Sequence, residues 1–178
     1  LGPWDQGGDW SDSGINGVTR WLRRIWDVAQ RDESSLGSTG DEVAERDLDR
    51  IAHSTTQRVL ADMDAFKFNT SIAALMEFTT ALIRAYEAGK VSALAWRNGV
   101  DRLLLHTAPL APHLAEELWE RTGHSYSIHL ELAPKFDESL TVTDTITLAV
   151  QVQGKLRDQV EVAADIDAAG AIAAAKSA

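Results

Sequence analysis

The chain has 178 residues, 44% of them hydrophobic, and 17 Lys and Arg against 27 Asp and Glu give a formal net charge of −10. Such a chain can bury a core of one or two domains, but its charge has the wrong sign for holding nucleic acid through a general basic field, so any RNA contact must be local. The absence of cysteine excludes a disulfide framework and a thiolate zinc site; no apolar run approaches the roughly 20 residues that span a bilayer, which predicts a cytoplasmic protein with no membrane contact.

The first dozen residues carry Gly2, Pro3, Gly7 and Gly8 and read as loop. A helix is predicted from a cap at Ser11 to Ser13 as far as about Arg31, with Ile15, Val18, Leu22, Ile25 and Ala29 on one face and Arg20, Arg24 and Arg31 nearly opposite. After a polar loop from Asp32 to Gly40, a second helix over about Asp41 to Ala65 buries Ala44, Leu48, Ile51, Thr55 and Val59 and turns Arg46, Arg50, His53 and Gln57 outward. Asn69 is expected to cap a third helix that places Ile72, Leu75, Met76, Thr79, Leu82, Ile83 and Tyr86 inward and stops at Gly89. The fourth, about Val91 to Thr107, ends in Leu103-Leu104-Leu105 and is expected to be central; Pro112 suits the first turn of a fifth, which Gly123 ends.

Beyond Gly123 the periodicity becomes alternating. Ile146, Leu148, Val150 and Val152 alternate with Thr145, Thr147, Ala149 and Gln151, as in a half-buried strand, and a return strand from about Leu156 to Val162 precedes a short helix after Asp165 or Asp167. The fold class is therefore mostly α, an antiparallel bundle of about five helices followed by a small incomplete β-β-α unit.

The residues capable of chemistry are few. His113, Glu116 and Glu117 share a helical face at a spacing that metal helices use, but no third converging ligand is visible; first-turn carboxylates also satisfy backbone groups, and no metal site is predicted. His124 and His129 are expected to be solvated. Gly154-Lys155 is not a phosphate loop, because Ala149 and Leu156 stand where Gly and Ser or Thr are required. No ordered nucleophile and base are found, so no catalytic residue is assigned. Among the cations, Arg20, Arg23 and Arg24 present guanidinium groups suited to phosphate, or form an ordinary solvated face with acids such as Asp27. Arg46 and Arg50, among Glu45, Asp47 and Asp49, are expected to pair locally. Lys155 and Arg157, at i and i+2, are expected on one side of the hairpin. Trp21, Trp26, Trp96 and Trp119 read as packing residues, Trp4 and Trp10 as loop residues.

The run Val150-Gln151-Val152-Gln153-Gly154-Lys155-Leu156-Arg157 resembles the "VQV-N-GKLR" signature of bacterial-type leucyl-tRNA synthetases, with Gln153 in place of the usual Asn. Leu1-Gly2-Pro3-Trp4 with Trp10-Ser11-Asp12-Ser13-Gly14, Phe68-Asn69-Thr70 with Ala73-Ala74-Leu75-Met76-Glu77, and Ala111-Pro112-His113-Leu114-Ala115-Glu116-Glu117-Leu118-Trp119 resemble, in order, the start, middle and last helix of that family's anticodon-binding-type domain. The helical matches extend more loosely to valyl, isoleucyl and methionyl relatives. Leu132-Ala133-Pro134 stands where the family usually has a Trp-Pro pair.

The resemblance implies a piece of a longer enzyme. Consistently, the chain opens at Leu1 without a Met, and the HIGH and KMSKS signatures of the catalytic domain are absent from it. The implied organisation is 1–12 as a loop leading in from the catalytic domain, 13–123 as the helical anticodon-binding-type bundle, 124–144 as linker and 145–178 as the truncated start of a C-terminal tRNA-contacting domain. The implied function is to bind and orient leucine tRNA for a leucine–tRNA ligase. The whole enzyme uses ATP and magnesium, while this part takes no cofactor, performs no catalysis and contacts its own catalytic domain in a monomer. The tRNA would be met through phosphates and shape, at Arg20, Arg23, Arg24, Lys155 and Arg157. The alternative is an acidic helical protein-docking module without RNA binding.

Overall fold

The computed structural model describes residues 7, 12–141, 145–152, 155–163 and 166–177, and the chain divides into two compact units, Leu1–Thr141 and Val142–Ala178. The first is a helical bundle of α1 (Asp12–Ala29), α2 (Glu42–Asp64), α3 (Phe68–Ala88), α4 (Ala93–Thr107), α5 (Pro112–Arg121) and the short α6 (Glu138–Thr141). The second is an antiparallel hairpin of β1 (Thr145–Val152) and β2 (Lys155–Ala163) followed by α7 (Ala168–Ser177). No helix of the described residues is long and apolar enough to cross a membrane.

The inward face of α1 is centred on Trp21, Ile25 and Val28, rotated from the Ile15–Leu22–Ala29 stripe that periodicity alone selects. Ile15 stays 42% exposed, because burying the indole of Trp21 removes more apolar area from water. The side chains of Ser11 and Ser13, expected as caps, lie outside the described residues, as do Trp4 and Trp10. In α2 the Asp41 carboxylate accepts the amide of Ala44 at 2.9 Å, an N-cap, and Leu48, Ala52, Thr55, Thr56 and Val59 are buried. Ile51, expected inside, is 42% exposed on the flank of that face.

Asn69 does not cap α3. Only three residues separate α2 from α3, Phe66 turns the chain with φ 55°, and the N-cap is Lys67 without a side-chain bond, so Asn69 falls inside the first turn. At the other end Gly89 adopts φ 61°, the left-handed C-cap that glycine takes without a Cβ penalty. Ser92 caps α4 by accepting the Ala95 amide at 3.2 Å, and α3 approaches α4 closely at Gly99, where a Cβ would stand 2.6 Å from Leu82 Cδ2. Leu103 and Leu104 are fully buried, each contributing about 1.5 to 3 kcal/mol by leaving water. Pro112 opens α5, and Gly123 turns the chain beyond it with φ 92°.

In the second unit, register runs from Thr145 opposite Ala163 to Val152 opposite Lys155, with an irregularity between Val150 and Gln151. Val150 faces Asp158 and Gln151 faces Leu156, which leaves Arg157 as the extra residue. Val162 is buried, and the Asp167 carboxylate caps α7 by accepting the Gly170 amide at 2.7 Å.

Candidate nucleic-acid interface

Helices α1 and α3 run side by side in the same direction. Trp21 Nε1 donates to Thr79 Oγ1 at 3.2 Å, Arg24 Nη2 donates to Thr80 Oγ1 at 2.9 Å, and Arg31 meets Glu87 at 3.5 Å, so both helices advance together. Arg31 also lies over the Tyr86 ring, 4.8 Å from its centroid. Along this seam Arg20 and Arg23 are exposed and Arg24 is half-buried. Thr80 donates its own hydroxyl proton to the Met76 carbonyl at 2.9 Å, which leaves its oxygen free to accept from Arg24. The predicted helix face is thus divided: Arg20 and Arg23 reach solvent, while Arg24 and Arg31 turn towards α3.

Arg84 belongs to the same seam, and reasoning from sequence missed it. It is exposed one turn beyond Thr80 on α3, and only the α1–α3 register brings it beside the arginines of α1. Most other arginines of the bundle are engaged: Arg58 with Glu77 at 3.0 Å, Arg97 with Glu33 and the Thr122 carbonyl, and Arg121 with Glu117 at 2.6 Å while lying over Trp26. Arg20, Arg23, Arg24 and Arg84 have no carboxylate partner among the described residues. Arg46 also lacks the expected local ion pair among those residues, and Glu45 reaches instead across to α4, accepting the Ser92 amide at 2.9 Å. Hydrogen bonding from Ser92, its side chain first and its backbone amide second, lowers the Glu45 carboxyl from its ordinary value.

Lys155 and Arg157 belong to the second unit. Lys155 opens β2 opposite Val152, and Arg157 is exposed at the irregularity. The alternation behind an i, i+2 reading is interrupted there, so that argument does not fix a shared side for the two residues.

Glu116, His124 and His129 make structural contacts. Glu116, instead of closing its own helix turn, accepts from the Ser127 hydroxyl and from the Ile128 amide at 3.2 Å, with His129 at 3.8 Å. It thereby fixes the turn Ile128–Leu130 that follows α5. His113 is exposed. His124 is not a solvated loop residue: its ring stacks on Trp119 with centroids 3.7 Å apart and bonds Asp101 at 2.8 Å. The stack arises because Gly123 folds the chain back over the end of α5. Among the described residues no group of three or more His, Asp or Glu is placed to hold a metal ion. Trp21, Trp96 and Trp119 are buried and Trp26 packs partly against them, as packing residues. In the stretch Leu132-Ala133-Pro134, Leu132 is 82% exposed, so it does not supply the packing that a Trp-Pro pair would.

Residues 45–172 match the family described as the anticodon-binding domain of tRNA ligase. The chain belongs to this family. Among its relatives, a leucine–tRNA ligase of Dehalococcoides mccartyi is 45% identical over 166 residues, covering 93% of this chain and 20% of the relative. That of Rubrobacter xylanophilus is 45% identical over 168 residues, covering 94% and 20%. Among solved structures, the LeuRS of Agrobacterium radiobacter, in a ternary complex with tRNA and LeuAMS, matches with a TM-score of 0.70 at 26% identity, over 93% of this chain and 22% of that one. The chain thus spans about a fifth of the length of the curated relatives it matches.

Proposed function

We propose that the chain is the tRNA-holding part of a leucine–tRNA ligase, with 1–12 leading in from the catalytic domain, 13–123 forming the anticodon-binding-type bundle, 124–144 the linker and 145–178 the start of a C-terminal tRNA-contacting domain. The observation that carries the reading is the row of guanidinium groups without carboxylate partners among the described residues, Arg20, Arg23 and Arg24, on the first helix of a chain whose net charge is −10. Such a row along an exposed seam suits a polyanion bound locally. Lys155 and Arg157 on the hairpin supply a second contact. The parent enzyme is a cytoplasmic monomer that joins leucine to its tRNA with ATP and magnesium. The reaction takes place in its catalytic domain, against which this part packs, and this part orients the tRNA.

Leucine-dependent pyrophosphate exchange and leucylation of tRNA test the assignment. The full-length protein is expected to perform both with leucine in preference to valine, isoleucine and methionine, and the 178-residue chain neither. Preference for another amino acid by the full-length protein would overturn the leucine assignment. Exchange above a no-protein control by the chain alone would overturn the division of labour.

A further inference from the structure

On α3, Thr80, Arg84 and Glu87 follow one another at i, i+4 and i+7 and so share one edge. Thr80 touches Arg24 of α1 at 2.9 Å and Glu87 touches Arg31 at 3.5 Å. Arg84 therefore lies between Arg24 and Arg31 along the edge that faces α1. The guanidinium of Arg31 is taken by Glu87 and Tyr86, whereas Arg84 is exposed and has no ion pair among the described residues. Asp27, the sole acid between Arg20 and Arg31, makes no ion pair among them either.

Arg24 is held differently from its neighbours. Because Thr80 Oγ1 donates to the Met76 carbonyl, it can only accept from Arg24, which pins one corner of the guanidinium plane. A guanidinium has five N–H donors, so the remaining edge stays available to a partner, and a pre-positioned fork loses less side-chain entropy on binding. Arg20 and Arg24 are one helical turn apart on α1, roughly 5 Å along the axis, and Arg84 stands across the seam on α3, one turn beyond Thr80. A row of cations matches a chain of regularly repeated anions. Guanidinium groups without acid partners suit contact with the phosphate backbone.

We propose that Arg84 and Arg24 form a two-helix fork for RNA phosphates, with Thr80 as the positioning residue that holds Arg24 in place. The proposal rests on the tRNA-binding reading above and adds α3 to the part of the bundle where sequence pointed to the arginines of α1.

The test is fluorescence-anisotropy binding of a leucine tRNA transcript to the full-length protein across a salt series, with Arg84→Gln, Thr80→Val, Arg24→Gln, the combined Thr80→Val/Arg24→Gln and, as reference, Arg20→Glu/Arg24→Glu. Arg84→Gln is expected to weaken binding about three- to tenfold at low salt and to lower the log–log salt slope by about 0.7 to 0.9. Thr80→Val is expected to weaken binding when Arg24 is present and to have no further effect when Arg24→Gln is already in place. A merely structural Thr80 would lower thermal stability equally in both backgrounds without this coupling. Wild-type affinity and slope in Arg84→Gln, while the Arg20→Glu/Arg24→Glu reference is impaired, would overturn the fork and leave the tRNA reading standing. Additive effects of Thr80→Val and Arg24→Gln would overturn the positioning role. Unchanged binding in every variant would overturn both the fork and the α1 contact beneath it.

Discussion

His106 gives the bundle a pH dependence that can be worked out in advance. Its ring is buried on α4, and its Nε2 stands 3.0 Å from Thr56 Oγ1 on α2. The Thr56 hydroxyl donates its proton to the Ala52 carbonyl at 2.9 Å and accepts from Arg102 Nη1 at 2.9 Å. It can only accept from the imidazole as well, which places a hydrogen on Nε2. Burial first, and the nearby Arg102 guanidinium second, push the His106 pKa down from 6.5 to about 4. A histidine whose folded pKa is depressed contributes full stability above its unfolded value. As pH falls through 6.5 the unfolded chain takes up a proton that the folded chain refuses, and stability is lost until the folded value is reached. A gap from 6.5 to about 4 corresponds to a total of roughly 3 kcal/mol, of which about 1 kcal/mol falls between about pH 7 and about pH 5.5. Urea melts of wild type and His106→Gln over that range isolate the effect, since Gln keeps an N–H for Thr56 and does not titrate. The variant is expected to be less stable at neutral pH but to lose about 1 kcal/mol less on going to about pH 5.5. Parallel pH dependences in the two proteins would refute the assignment of a buried neutral ring.

Other expectations follow from burial and hydrogen bonding. Leu103→Ala, at a fully buried position of α4, is expected to cost about 2 to 5 kcal/mol in denaturant melts; a loss below about 1 kcal/mol would mean that the core is centred elsewhere. Glu116→Ala removes the acceptor of Ser127 and Ile128, and amide exchange at residues 128–130 should accelerate with α3 unaffected; unchanged exchange there would show that the turn is held by other interactions. Among the described residues the two-stranded hairpin has no third strand and only the short helix α7 against it, so in the 178-residue chain its amides should exchange faster than those of residues 70–105. Equal protection in the two regions would contradict this.

Much of the bundle is legible in the sequence because its signals are local. Gly89, Pro112 and Gly123 act through backbone conformation at their own positions, and the Leu103-Leu104-Leu105 run is apolar at any rotation of its helix. What depends on neighbours is not legible. Periodicity places Ile15 and Ile51 inward, yet the rotation of α1 is settled by Trp21 finding Thr79 on α3. Asn69 has the chemistry of a cap but is overtaken by the short turn at Phe66. Arg20, Arg23 and Arg24 can be picked out as a cationic face from spacing, whereas Arg84 joins them only through the register of two helices some 60 residues apart. The stack of His124 on Trp119 and the bond from Ser127 to Glu116 likewise join residues that no periodicity connects. In the hairpin the alternation is readable, but the irregularity at Arg157 is a property of the strand pair.

The central claim, that this acidic domain meets tRNA through small sets of cations, is tested most directly by the salt dependence of leucine-tRNA binding to the full-length protein with Arg20→Glu/Arg24→Glu and, separately, with Lys155→Glu/Arg157→Glu. Each pair is expected to weaken binding and to flatten the log–log slope by about 0.7 to 0.9 for every phosphate that is no longer neutralised, with helix content by circular dichroism unchanged. Wild-type affinity and slope in both pairs would contradict the claim and favour a domain that docks onto protein alone.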